Sequence, residues 1–289
     1  MDYIIIMPAY NEAAYLGRTI ESIAKQSRRP RRLIIVNDGS TDRTAHIATA
    51  YAERYPWIHI VHNEKKEKRA AGAKVVRAFY IGFQAIDEPY DLLTKLDADL
   101  ELPPDYFERM IALFVADARL GIAGGTIAIE QDGQWVYENF SDTDHVKGAF
   151  KTWRRQCFED IGGLRASIGW DTADELLARY HGWNIQVDNS LQVRHYRPLG
   201  AETGSIKIRM KVGHGMYRLR YGFFITLISA IKAGYLNKPY GLTGLAVLWG
   251  WLLSWLRRDA PMVTPEEGRF IRRFRWQRMR GKLRKALPE

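Results

Sequence analysis

Short apolar runs alternate with helical patterns through the first 115 residues, and this alternation constrains the fold more than any other feature. Four runs have the length of buried strands, at residues 3–7, 33–36, 58–61 and 92–96. Between the first two, Leu16, Ile20 and Ile23 recur at helical spacing. This β-α-β-α order predicts an α/β fold with a mostly parallel sheet and helices on both faces.

Capping residues predict where several helices begin. Asn11 is expected to cap the first helix, and Ser40 or Thr41 the second. Pro104 is expected at an early position of the fourth helix. Thr264 is expected to cap the last one.

Composition narrows the class of protein. A length of 289 residues allows one large domain or two small ones. The single cysteine, Cys157, excludes an internal disulfide and a thiolate metal cluster, and favours a reducing compartment. The apolar start is too short for a signal peptide and indicates a strand. The chain contains neither a G-x-G-x-x-G nor a P-loop motif, which disfavours dinucleotide oxidoreductases and P-loop NTPases.

The net charge of +10 is unevenly distributed. From Thr203 onward there are 18 Lys or Arg and four acids, whereas residues 1–202 have a net charge of −4. No acid occurs between Glu202 and Asp259. This asymmetry indicates an acidic partner for the C-terminal third, either anionic lipid or nucleic acid.

Polar residues follow three of the four predicted strands, in the segments PAYNE (8–12), NDGS (37–40) and DAD (97–99). Because parallel strands end at one edge of a sheet, these segments are expected to meet there. Asp97 and Asp99 stand at i and i+2, so both can reach one cation such as Mg²⁺ or Mn²⁺.

The other two segments offer groups that suit a nucleotide. A carboxylate of Glu12 or Asp38 can accept a hydrogen bond from a base, and Tyr10 can flank the base or ribose. Each of these acids alone, like a bare D-x-D, is more typical of a solvated turn or helix start. Their combination at three strand ends favours a nucleoside-diphosphate site.

The segments IIIMPAYNE, LIIVNDGSTDRT and LLTKLDADLELPPDYFE together resemble the donor half of the family-2 inverting glycosyltransferases, which have the GT-A nucleotide-sugar fold. The resemblance covers about residues 1–200. It implies a set of residues around the base and ribose: Pro8, Ala9, Tyr10, Glu12, Val36 and Asp38. It also implies that Asp97, Ala98 and Asp99 hold the ribose and a diphosphate bound to Mn²⁺ or Mg²⁺. Glu101 is a further metal candidate, with a solvated loop acid as the alternative.

The resemblance extends to basic residues and one histidine. Arg154 or Arg155, in GAFKTWRR, is a candidate for steadying the diphosphate. Independently of the resemblance, Lys68, Arg69 and Lys74 are candidates for neutralising phosphate, and a solvated charged face is the alternative for the run 64–69. His195 is implied as a metal or diphosphate contact, and a neutral imidazole suits Mn²⁺.

The resemblance also implies a catalytic base. In many members Glu-Asp begins a helix, with a glycine eleven residues after the Asp, and counting back from Gly182 gives Asp171. Trp170 stands where the usual Glu would be. Asp171 is therefore the predicted base, Asp174 and Glu175 are the fallback candidates, and a capping or first-turn acid is the alternative.

The C-terminal third predicts a membrane contact. Residues 241–256, GLTGLAVLWGWLLSWL, are apolar but shorter than the roughly 20 residues that a spanning helix needs. Flanking tyrosines and arginines and a basic last helix favour monotopic attachment to the cytoplasmic face of the cell membrane. A helical subdomain packed on the catalytic part is the alternative, and nucleic acid is disfavoured because apolar runs are not needed to bind phosphates.

Together these observations predict a GT-A catalytic domain over 1–202, with a donor half to about 120 and an acceptor half from about 121, and a membrane-associated region over 203–289. The expected activity is metal-dependent inverting transfer from a nucleoside-diphosphate sugar, with UDP favoured, to a hydroxyl of a lipid-linked or cell-surface glycan. The alternatives are a non-catalytic nucleotide-sugar-binding membrane scaffold and a GDP-mannose-type polyprenyl-phosphate sugar transferase. A pyrophosphorylase is less compatible, since PAYNE replaces the basic Gly-rich loop that it would need.

Overall fold

One mixed β-sheet organises the N-terminal part of the chain. The computed structural model describes residues 1–63, 73–131, 133–137, 145–197 and 206–286. In these residues nine strands join one sheet in the order β3-β2-β1-β4-β8-β6-β9-β5, with β7 paired to β6. The strands are β1 Tyr3–Ala9, β2 Arg32–Asn37, β3 Ile58–His62, β4 Leu92–Leu96, β5 Leu100–Glu101, β6 Leu120–Gln131, β7 Gln134–Tyr137, β8 Phe150–Arg154 and β9 Asn184–His195.

Helices connect these strands and make up most of the C-terminal part. The first six are α1 Leu16–Ala24, α2 Thr44–Arg54, α3 Ala73–Gln84, α4 Tyr106–Ala116, α5 Arg155–Asp160 and α6 Trp170–Tyr180. The remaining four are α7 Ile206–Arg218, α8 Phe223–Leu236, α9 Leu242–Arg257 and α10 Pro265–Ala286.

The β1 to β4 half of the sheet is parallel, as the sequence predicts. β1 lies between β2 and β4 and runs parallel to both, with Pro8 opposite Val36 and Ile6 opposite Lys95. The polar segments after β1, β2 and β4 therefore leave the sheet at the same edge, which is called the donor edge below. β8 pairs with β4 in the antiparallel sense and places Lys151 opposite Lys95.

Helices cover both faces of this parallel half. Leu16, Ile20 and Ile23 of α1 belong to a buried core with Ile5 and Met7 on one face. On the other face α3 packs so closely that a Cβ on Gly82 would lie 2.7 Å from Ile6 and 2.8 Å from Val36. The alternation of strand residues between the two faces thus buries every residue of β1 except Pro8, which is half-buried.

Three of the four predicted helix starts are wrong. Tyr15, not Asn11, precedes α1, and Asn11 adopts a positive φ of 55° while its side chain accepts a hydrogen bond from the Thr41 amide at 2.8 Å. α2 begins only at Thr44, and α4 at Tyr106 rather than at Pro104. The polar side chains of the first two loops bind each other across the donor edge, so they do not cap their own helices.

The predicted start of the last helix is confirmed. Thr264 accepts a hydrogen bond from the Glu267 amide at 3.2 Å, and the Glu267 carboxylate accepts one from the Thr264 amide at 2.6 Å. This reciprocal pair is a capping box, which satisfies two backbone donors at the beginning of α10.

The chain divides into two compact units. Unit 1 comprises residues 1–166 and 170–198 and contains the sheet, and unit 2 comprises 167–169 and 199–289. Within unit 2, a Cβ on Gly250 of α9 would overlap the Met210 carbonyl of α7, and one on Gly213 of α7 would overlap the Val247 carbonyl. These glycines bring the two backbones into direct contact. None of the helices in the described part of the chain is both long and apolar enough to cross a bilayer.

Candidate functional site

Tyr10, Asp38 and Lys74 lie together at the donor edge. The Lys74 ammonium is 3.1 Å from Asp38 Oδ2 and 3.6 Å from the centre of the Tyr10 ring. Asn63 donates to the other Asp38 oxygen at 2.7 Å. The structure thus brings together one aromatic ring, one acceptor and one cation that the sequence predicts around the base, ribose and phosphate.

Glu12 is bridged to Asp99 by a residue that sequence reasoning missed. Arg197 donates to Glu12 Oε2 at 2.5 Å, and its Nε lies 3.6 Å from Asp99 Oδ2. Burial raises the pKa of Glu12, while the Arg197 charge opposes this shift. The available signal was the position of Arg197 two residues after His195 at the end of β9, which places both on one side of an extended segment.

Asp99 and His195 form the centre of the donor edge. His195 Nε2 lies 3.2 Å from Asp99 Oδ2, because Leu100 of β5 pairs with His195 of β9. Burial alone would raise the pKa of Asp99, but the contact with His195 outweighs burial and lowers this pKa. His195 Nδ1 is buried and has no hydrogen-bond partner among the described residues.

Asp97 is held by Lys95, a second residue that the sequence analysis overlooked. The Lys95 ammonium contacts Asp97 Oδ1, and burial raises the pKa of Asp97 against the attraction of that charge. Lys95 itself is buried within β4. A lysine inside the apolar run LLTKL, two residues before Asp97, was the signal that could have identified it.

Glu101 does not join Asp99 and His195. Its carboxylate accepts hydrogen bonds from Arg194 at 3.2 Å and from the Tyr196 hydroxyl. Both carboxylate oxygens of Glu101 are thus occupied by neighbouring side chains. The structure therefore argues against the predicted role of Glu101 as a metal ligand.

The donor set fits a divalent cation that is shared with a diphosphate. Within the described ranges, no three His, Cys, Asp or Glu side chains are arranged to hold a metal ion by themselves. Asp99 offers a carboxylate oxygen and His195 an imidazole nitrogen. Mg²⁺ and Mn²⁺ commonly take one or two protein ligands and complete their shell with phosphate oxygens and water.

Three of the predicted nucleotide contacts are core residues. Val36, Ala9 and Ala98 are almost completely buried. The Val36 side chain packs under α3, and the Ala98 carbonyl accepts a hydrogen bond from Thr19 at 2.8 Å. They support the donor edge from within, whereas Pro8 is half-buried there.

The predicted basic residues of the acceptor half need correction. Antiparallel pairing places Arg154 opposite Leu92, at the end of β4 remote from Asp97. Arg154 donates to the carbonyls of Leu120 and Phe114, and Arg155 binds Glu159 at 2.8 Å. Both are therefore away from the donor edge. Lys68 and Arg69 lie outside the described residues.

Asp171 lies in the first turn of α6, where its carboxylate is one-third exposed. Its Oδ2 is 3.7 Å from Nε2 of His145, whose Nδ1 lies 3.1 Å from Glu175 Oε2. Although burial alone would raise it, the contact with His145 and the charge of Lys151 hold the pKa of Asp171 at about 2. The carboxylate is thus ionised and reachable.

Asp174 and Glu175 have a different environment. The buried Lys151 ammonium lies 3.0 Å from Asp174 Oδ1 and 3.1 Å from Glu175 Oε1. Trp153 donates to Asp174 Oδ2 at 3.0 Å. These two carboxylates are occupied in a buried ion cluster, so they anchor α6 and are poor candidates for a base.

Trp170 lies between the two halves of the site. Lys95 and Lys151 approach its ring, at 5.6 and 5.9 Å from the centre. These distances are typical of cation–π contacts. The same ring therefore faces the lysine that holds Asp97 and the lysine that anchors the helix of Asp171.

A parallel nucleotide-binding half, a D-x-D after its fourth strand and flanking helices define a GT-A fold. The profile of glycosyl transferase family 2 matches residues 4–166. The chain therefore belongs to glycosyl transferase family 2, as its motifs predict.

Individual relatives match parts of the chain. It is 30% identical over 136 residues to the undecaprenyl-phosphate 4-deoxy-4-formamido-L-arabinose transferase of Pseudomonas savastanoi pv. phaseolicola, covering 45% of this chain and 37% of that protein. The chain also spans well under half the length of other curated relatives that it matches.

Solved structures match its fold. The mannosyltransferase PcManGT from Pyrobaculum calidifontis, in complex with GDP-Man and Mn²⁺, has a TM-score of 0.54 and 17% identity, over 91% of this chain and 76% of its own. S. aureus TarS 1–349 in complex with UDP has a TM-score of 0.54 and 14% identity, over 74% and 64%. At these identities the likeness concerns the fold alone.

Proposed function

We propose that the protein is a metal-dependent inverting glycosyltransferase that moves a sugar from a nucleoside-diphosphate sugar to a hydroxyl of a lipid-linked or cell-surface glycan. The observation that supports this most strongly is the Asp99–His195 pair beside the group of Tyr10, Asp38 and Lys74. One end of this edge suits a metal-bound diphosphate and the other a nucleoside. UDP is the favoured nucleotide.

The side chains have distinct tasks in this proposal. Asp99 and His195 would hold the metal, with Asp97 as a further carboxylate near the ribose or diphosphate. A bound Mn²⁺ or Mg²⁺ neutralises negative charge on the leaving diphosphate. The Lys74 and Arg197 cations lie at the same edge and add to the positive field.

Asp171 is the proposed general base. It takes the proton of the acceptor hydroxyl as that oxygen attacks the anomeric carbon from the face opposite the diphosphate, which inverts the configuration. Its low pKa keeps it ionised at neutral pH. The Asp171 carboxylate is exposed and leaves room for an acceptor, whereas the Asp174 carboxylate is buried and does not.

The proposed domain roles follow the division of charge. Residues 1–202 are the catalytic domain, and 203–289 attach the protein to the cytoplasmic face of the cell membrane, where lipid-linked acceptors are available. The exposed apolar side chains and the positive charge of unit 2 support this location.

A GDP-mannose-type polyprenyl-phosphate sugar transferase is the second candidate. The names of an undecaprenyl-phosphate transferase among the relatives and of a GDP-Man complex among the structures favour it. It uses the same donor edge and differs in nucleotide and acceptor.

A thermal-shift experiment tests the donor site. We expect UDP-glucose, GDP-mannose or dTDP-glucose to raise the unfolding temperature only when Mn²⁺ is present, with a gain of about 2.7 kcal/mol at 100 times Kd. Asp99→Asn should abolish the shift. Glu101→Gln is the matched control and should keep it, because Glu101 is bound to Arg194 and Tyr196.

Two results would contradict the proposal. If none of the three sugars stabilises the protein with Mn²⁺, the donor-site assignment is wrong. If one binds but is neither transferred nor hydrolysed, the protein is a nucleotide-sugar-binding scaffold instead of an enzyme.

A further inference from the structure

Unit 2 contains an apolar groove between α7, α8 and α9. Its volume is about 500 Å³, and every side chain that lines it is apolar, including Met210, Phe223, Leu245, Trp249 and Leu252. Pockets of roughly 300–1,000 Å³ are typical of small-molecule sites. The size and lining suit a hydrocarbon chain rather than a sugar or nucleotide.

The walls of the groove are held by close helix packing. The backbone contacts at Gly213 and Gly250 fix α7 against α9, and a Cβ on Gly244 of α9 would overlap the Ala230 carbonyl of α8. Because glycine has no Cβ, it allows two helix backbones to approach each other closely. Met210 and Trp251, which line the groove, lie directly at these glycine contacts.

The rim of the groove is unusually exposed for its chemistry. Leu245 has 62% of its surface exposed, and Trp249 and Phe223 about half. Contiguous exposed apolar surface indicates a membrane, ligand or protein contact. The indole N–H of Trp251, another lining residue, is buried without an acceptor among the described residues.

Charge distinguishes among possible occupants. Lys207 and Lys211 directly follow the lining residues Ile206 and Met210 on α7, and both are exposed. Residues 206–258 contain nine Lys or Arg and no acid. A second copy of the chain would bring like charges together, which disfavours self-association. An anionic headgroup complements this surface.

We propose that the groove binds the hydrocarbon chain of an anionic bilayer lipid, with Lys207 and Lys211 at its headgroup. This proposal rests on the membrane contact proposed above and makes that contact more specific. It is independent of the sugar-transfer proposal. A bilayer that only adsorbs to unit 2 would need an apolar face but no defined cavity. The groove predicts in addition that one lipid molecule binds outside a bilayer.

The test is a titration of the 289-residue protein with lysophosphatidylglycerol below its critical micelle concentration, followed by tryptophan fluorescence. We expect saturable binding of one lipid. Leu245→Glu, at the rim, should weaken it at least tenfold. Leu256→Glu is the matched control: it lies on the same helix, is 60% exposed and does not line the groove, so binding should be unchanged.

A separate experiment tests the headgroup contact. The double variant Lys207→Gln/Lys211→Gln should bind lysophosphatidylglycerol several-fold more weakly and lysophosphatidylcholine as well as the parent does. Circular dichroism must show that every variant is folded.

Three results would overturn the inference. The first is no saturable binding of monomeric lipid although the protein binds vesicles, which leaves surface adsorption. The second is equal weakening by Leu245→Glu and Leu256→Glu. The third is a lipid-free dimer that Leu245→Glu dissociates, which would make the groove an interface between copies. None depends on a nucleotide sugar, so failure here is separate from failure of the donor site.

Discussion

Asp171 and Asp174 lie three residues apart on α6, and their surroundings separate their roles. The Asp171 carboxylate is 33% exposed and paired with a histidine, whereas that of Asp174 is 1% exposed and paired with Lys151. Spacing from Gly182 distinguished Asp171 in the sequence. No sequence pattern revealed that the neighbouring Asp174 and Glu175 pair with a buried lysine. The environment, more than the type of residue, identifies the candidate base.

Replacing each acid by its amide should separate these roles. We expect Asp171→Asn to reduce sugar transfer by about 10²–10⁴-fold while nucleotide-sugar binding persists. Asp174→Asn should instead lower the free energy of unfolding by about 3–5 kcal/mol, because it leaves part of the Lys151 charge uncompensated. Turnover and urea unfolding of both variants provide the measurements. A stable Asp174→Asn that has lost turnover, beside an active Asp171→Asn, would reverse the assignment.

At the scale of elements, the sequence predicts the parallel half of the sheet well. β1, β2 and β4 are mostly apolar, with Thr94 and Lys95 as the polar residues inside β4, and buried parallel strands have that pattern. The antiparallel partner β8, with the sequence FKTWR, contains a lysine and an arginine and resembles a surface segment. Only the tertiary structure shows that Lys151 is neutralised by carboxylates of α6. The antiparallel pairing of β8 with β4 also places Arg154 and Arg155 away from the donor edge.

His145 precedes β8 and links it electrostatically to α6. Burial alone would lower the pKa of His145, but contacts with Asp171 and Glu175 raise this pKa to about 9. The nearby Lys151 charge opposes the increase. The ordinary pKa of a histidine, which is taken for the unfolded chain, is 6.5. His145 therefore stabilises the fold fully below pH 6.5, and this contribution is lost as the pH rises through 9.

Replacement of this histidine should give a pH-dependent loss of stability. We expect His145→Gln to lower the free energy of unfolding by up to about 3 kcal/mol near pH 6 and by little near pH 10. Urea unfolding across this range measures it, with the exposed His46→Gln as the control. A loss that is the same at both ends of the range would show that packing, not charge, is responsible.

At the scale of the whole molecule, apolar exposure and positive charge coincide. Of eighteen large, exposed apolar side chains among the described residues, fourteen belong to unit 2. On α8, Phe224, Ile228, Ile231 and Tyr235 form one exposed stripe at helical spacing. The sequence predicted the charge asymmetry and the apolar runs. The sequence alone could not predict that these apolar side chains face outward, because a helix buried in a protein core can have the same composition as this exposed one.

Vesicle flotation tests this surface. We expect the protein to float with phosphatidylglycerol vesicles at about 0.1 M salt and much less at about 1 M, since the Debye length falls from about 10 to 3 Å. Phe224→Glu should weaken binding at both salt concentrations. Val115→Glu is the matched control, because Val115 is equally exposed but lies in unit 1. Equal binding to phosphatidylcholine, or none at low salt, would contradict a contact with anionic membranes.

The pairing of His195 with Asp99 has a consequence for synthesis of the chain. The two residues are 96 positions apart, and His195 ends the last strand of the sheet. A nascent chain that has been released only through α6 can pair β1, β2 and β4 but still lacks the imidazole. Because domains generally fold as their segments emerge from the ribosome, the donor edge would mature only after β9 inserts. Nucleotide-sugar binding is therefore expected to be absent from ribosome-bound intermediates that end before residue 195.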